Sequence, residues 1–233
     1  MIKSGIDQQA LIDLFANASA KQTEQLRQGV YQATLGALQG RELSLKNIRS
    51  VLGSVAQASS AGAAKNPLAG VDAESLLDTA VSGMDDALVK AVEANRLALQ
   101  QLVERGADLR EGQMKKALGD LEKFEDAMFS TLQKAASGAA GTGDPLAGPW
   151  ADVLAKFNPG ATKTGAQATQ AAQQLSAQWA QMHSAVRETR AAGLKAAQTL
   201  AESYTALVSG VLIGLSDALT QGTAAGAKST RKK

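Results

Sequence analysis

The chain has 233 residues, a formal net charge of +2 and no cysteine. The near-neutral charge gives no footing for a nucleic-acid partner, and the missing thiols exclude disulfides and thiolate metal sites. Aromatics make up only 3 % of residues, so the apolar share rests on Ala and Leu. That composition predicts long, closely approaching helices instead of a thick core.

Near the N-terminus, Ser4-Gly-Ile-Asp7 has the spacing of a helix start. The apolar positions Ile6, Leu11, Leu14, Phe15, Ala18, Leu26, Val30 and Leu35 predict one helix to about Leu38, closed by Gln39-Gly40. A second helix is expected over about 44–59, with Leu45, Ile48, Val51, Leu52 and Val55 on one face. Residues 1–60 therefore read as a helical hairpin, and 61–71 as a linker of breaker residues.

Asp72 is placed to cap the next helix, with Val71 and Leu76 as its hydrophobic staple. The run over 72–137 carries a seam in steps of four and three: Leu77, Val81, Met84, Leu88, Ala91, Asn95, Ala98, Leu102 and Leu109, resuming at Leu118, Leu121, Met128 and Leu132. Unbroken, it would reach about 100 Å at 1.5 Å per residue. Gly83, Gly106, Gly112 and Gly119 mark where it would bend or break.

Residues 138–163 hold three of the four prolines and read as a second linker with a short helix from Pro149 to Phe157. Pro-Leu-Ala-Gly recurs at 67–70 and 145–148, too short a match to establish two related halves.

The last run, 164–222, opens with Thr164-Gly-Ala-Gln167, a capping-box spacing. Its seam passes through Ala168, Ala172, Leu175, Trp179, Met182 and Val186, then Gly193, Ala197, Leu200, Tyr204, Leu207, Val211, Gly214 and Ala218. This is the pattern of a coiled-coil-like helix. From Ser203 to Ser216 there is no charge. On the helical wheel Leu207, Val208, Val211, Leu212, Leu215 and Leu219 share a face about 140° wide, with Ile213 outside it. Burying six such side chains is worth on the order of 10 kcal/mol. The stripe is too wide for a two-helix seam, so these seven residues are either bundle core or a surface that meets another chain or an apolar phase. At ~21 Å the uncharged stretch is too short to span a bilayer core of ~30 Å. Residues 223–233 read as a basic tail.

Nothing in the sequence announces chemistry. His183 stands alone, with no carboxylate at ligand spacing. Asn95, in the seam, reads as a buried polar residue that fixes register. The acidic pairs Asp85-Asp86, Glu122 with Glu125 and Glu125-Asp126 read as solvated helix surface. Ala139-Ala-Gly-Thr-Gly-Asp144 lacks the ending of a phosphate loop and reads as linker. The expectations are thus an all-α elongated bundle, no enzyme activity, no cofactor or metal, and no small-molecule substrate. With no signal-like segment and no spanning stretch, a cytoplasmic location is expected.

The chain resembles the phasins, helical proteins that coat bacterial polyhydroxyalkanoate granules. The resemblance lies in Ala/Gln/Leu-rich amphipathic helices, in Asp-Pro-Leu-Ala-Gly-Pro-Trp150 followed by a Gln-rich run, and in the tail Ala224-Ala-Gly-Ala-Lys-Ser-Thr-Arg-Lys-Lys233. It covers residues 140–233, and Arg41-Glu-Leu-Ser-Leu-Lys-Asn-Ile48 has no counterpart in it. It implies a non-enzymatic coat protein on a hydrophobic polymer or lipid surface. The residues alone leave two other readings open: an oligomeric coiled-coil scaffold without a lipidic partner, and a membrane-inserting helical pore-former.

Overall fold

The computed structural model describes residues 5–19, 21–39, 43–67, 71–104, 111–157, 160, 162–186 and 208. Among the described residues the protein is all-helical, with seven helices: α1 Gln8–Ala16, α2 Thr23–Leu38, α3 Leu45–Lys65, α4 Ala73–Glu104, α5 Glu111–Thr142, α6 Ala147–Lys156 and α7 Lys163–Val186.

The single N-terminal helix expected to Leu38 is two helices. Asn17 ends α1, its side-chain amide and its backbone N–H both donating to the Asp13 carbonyl. Ser19 then donates to the Gln22 side chain from backbone and hydroxyl alike. Such local bonds offer the backbone an alternative to continuing a helix. The first cap is Asp7, which accepts from the Ala10 N–H, and Ser44 caps α3 through Asn47. α3 runs on to Lys65, through residues expected to be linker. Asn66 follows it and donates to the Phe15 and Ala18 carbonyls, both at 2.9 Å. The end of α3 thereby satisfies carbonyls at the end of α1.

Asp72 caps α4 as expected, accepting from Glu74 and Ser75. The whole expected seam from Leu77 to Leu102 is buried, but so are Leu76, Ala80, Ala87, Val92, Ala94, Leu99 and Val103. A helix buried nearly all round is a central one. α4 meets α2, α3, α6 and α7, so among the described residues the bundle is organised around this helix.

The run over 72–137 divides into α4 and α5. A straight helix would separate Asp85 from Glu125 by about 60 Å. Both instead bond to the same few residues at the start of α7, so the chain doubles back between them. α5 continues to Thr142, making helix of the glycine-rich segment expected to be linker.

Two glycines allow close helix crossings. A Cβ on Gly62 would lie 2.4 Å from the Phe15 Cβ and 2.6 Å from the Ile12 carbonyl oxygen, which sets α3 against α1. A Cβ on Gly83 would meet the Arg27 carbonyl oxygen at 2.6 Å and Val30 at 2.9 Å, which sets α4 against α2. α6 adds Trp150, 1 % exposed, whose indole N–H donates to Ser60 Oγ at 3.0 Å. No helix among the described residues is long and apolar enough to cross a membrane.

Candidate functional site

The most elaborate polar arrangement is the one that holds the start of α7. A helix begins with N–H groups that lack intrahelical partners and carry the positive end of its dipole. Here the acceptors come from two other helices. Asp85 of α4, only 5 % exposed, accepts from the Lys163 and Thr164 N–H groups, each at 3.0 Å. Its carbonyl accepts from the Thr164 hydroxyl at 3.1 Å. Glu125 of α5 accepts from the Gly160 N–H at 2.9 Å and from the Thr162 hydroxyl at 2.5 Å. Thr162 Oγ1 in turn accepts from the Gly165 N–H. The cap is therefore Thr162, not Thr164, which lies inside the first turn.

Two glycines fit the chain to this clasp. Gly160 has φ +84°, left-handed backbone that L side chains rarely adopt. A Cβ on Gly165 would come within 2.5 Å of the Glu125 carboxylate. Around the clasp, Lys163 Nζ reaches Asp86 at 2.6 Å, and Arg27 approaches the same carboxylate at 3.6 Å. One α7 turn further on, Gln167 donates to Glu93 at 3.3 Å. The hydrogen bonds from Arg96 hold the Glu93 carboxyl below the usual glutamate range, against the opposing effect of its partial burial.

Among the α7 side chains that the structure describes, Ala168, Ala171, Ala172 and Leu175 are buried and Trp179 is half-buried. One leucine at ~1.5–3 kcal/mol and three methyls at ~0.8 each give about 5 kcal/mol, to which the half-buried Trp179 adds. The four bonds that donate to Asp85 and Glu125 carboxylates are of a kind worth ~1.5–3 kcal/mol apiece. Polar anchoring at the start of α7 therefore adds to the apolar burial along its described length. The outer face is Gln170, Gln173, Gln174, Gln178 and Gln181, all exposed, and between Thr164 and Met182 there is no charged residue.

The sequence reading placed Asp85 and Glu125 on solvated surface. The structure corrects this: both sit in apolar registers of α4 and α5. Val81, Asp85, Leu88, Val92 and Leu118, Leu121, Glu125, Met128, Leu132 each run in steps of three and four, with the acid at one step. An acid in a core register, with a capping partner elsewhere, was the available signal.

Of the seven residues expected to form a contact surface, Val208 is described; it is 3 % exposed and belongs to the apolar core. Leu207, Val211, Leu212, Ile213, Leu215 and Leu219 lie outside the described residues. His183 falls on α7. Asn95 is buried and donates to the Ala91 carbonyl at 3.2 Å. A groove of about 510 Å³ runs between α3 and α5, lined by small residues such as Gly53, Ala56, Ala61 and Gly138, with Arg49 and Lys134 at its edge. Among the described residues no group of three or more His, Asp or Glu side chains is placed to hold a metal ion.

The chain belongs to a family of unknown function, DUF6781, whose pattern it matches over residues 1–221. No curated protein and no solved structure matches it.

Proposed function

We propose that this protein is a non-enzymatic coat, phasin-like in mode of action, that adsorbs to an intracellular hydrophobic phase such as polyhydroxyalkanoate polyester. The observation that carries the reading is the outer face of α7, which from Thr164 to Gln181 presents Gln170, Gln173, Gln174, Gln178 and Gln181 and no charged side chain. Bringing an ion to a low-dielectric surface costs several kcal/mol. An amide costs far less, and less again where an ester carbonyl accepts its N–H. The exposed side of α5 differs, carrying Lys115, Lys116, Glu122, Lys123, Asp126 and Lys134, and would be held away from such a phase. The C-terminal stripe around Leu207, Val211, Leu212, Ile213, Leu215 and Leu219 would supply further apolar contact, and self-association would extend the coat.

The test is sedimentation with polyester particles. Changing Gln170, Gln174 and Gln178 together to Glu should lower the bound fraction several-fold, whereas the same three changed to Ala should leave it near the parent. Equal binding by the Glu and Ala variants would refute the role given to the uncharged face.

A further inference from the structure

We draw no further inference here: the strongest candidate, the groove between α3 and α5 with Arg49 and Lys134 at its edge, is floored by a stripe of small residues and rimmed by exposed cations, and nothing in the structure shows what covers it.

Discussion

Asp85 of α4 accepts the backbone N–H of Thr164 at 3.0 Å across a separation of 79 residues, so the first turn of the last described helix is held by the central one. Thr162 caps α7 locally, and Asp85 adds acceptors from the surrounding fold. Removing the Asp85 carboxylate should therefore act on α7 before it acts on the bundle.

Asp85→Ala leaves the Lys163 and Thr164 N–H groups without their acceptor. An unsatisfied buried donor costs ~1–3 kcal/mol, so a loss of about 3 kcal/mol is expected in urea unfolding. Asp85→Asn retains an acceptor oxygen and should lose about half of that. Amide exchange at residues 163–166 should accelerate in the Ala variant without matching acceleration in α3.

The glycines should respond with opposite signs. Gly62→Ala and Gly83→Ala would push a Cβ against backbone carbonyls at 2.6 Å, and overpacking of this kind costs ~1–3 kcal/mol. A Cβ at Gly119 meets nothing within 4 Å, so Gly119→Ala should stabilise by up to ~1 kcal/mol. Thermal unfolding of the three variants checks the ordering.

Tyr31 offers a pH test. Its hydroxyl is buried and has no hydrogen-bond partner among the described residues. Burial, and secondly the nearby Asp86 charge, raise its pKa above the ordinary 10.0. A raised folded-state pKa means that its stabilising contribution is full below pH 10 and is lost as pH climbs through the raised value. Tyr31→Phe should flatten that alkaline decline and cost little at neutral pH, since no bond is broken. Glu93 behaves in the opposite sense. Its pKa is lowered by the Arg96 hydrogen bonds, so its contribution is present above pH 4.5 and is lost as pH falls through the lowered value. Glu93→Gln should shrink that acid decline in a pH series of unfolding midpoints.

The C-terminal stripe is tested by Leu212→Asp with Leu215→Asp. Two charges on that face should abolish recovery with polyester granules while far-UV helicity persists. Undiminished recovery would remove the stripe from the contact surface.

The all-α architecture and the α4 seam were legible because apolar spacing is local information. Leu77 through Leu102 fell where steps of four and three placed them, and Asp72 capped where its type and position required. The break between α1 and α2 was less legible, since Asn17 and Ser19 act through side-chain bonds that compete with a helix pattern continuing past them. The fold-back between α4 and α5 and the clasp on α7 were not legible. Each depends on residues 35 to 79 apart in the chain, and an acid in an apolar register reads as an interruption until its partner is known.

The coat function is tested most directly by equilibrating the full chain with polyester particles of graded surface area at low and high salt. Contacts made by uncharged amides and apolar side chains are insensitive to screening, whereas a basic tail acting alone would be weakened as the Debye length shrinks from ~10 Å at 0.1 M to ~3 Å at 1 M. The account predicts saturable binding that scales with particle area and is equal at both salt concentrations. Protein that stays in the supernatant, or that leaves the particles at high salt, would contradict it.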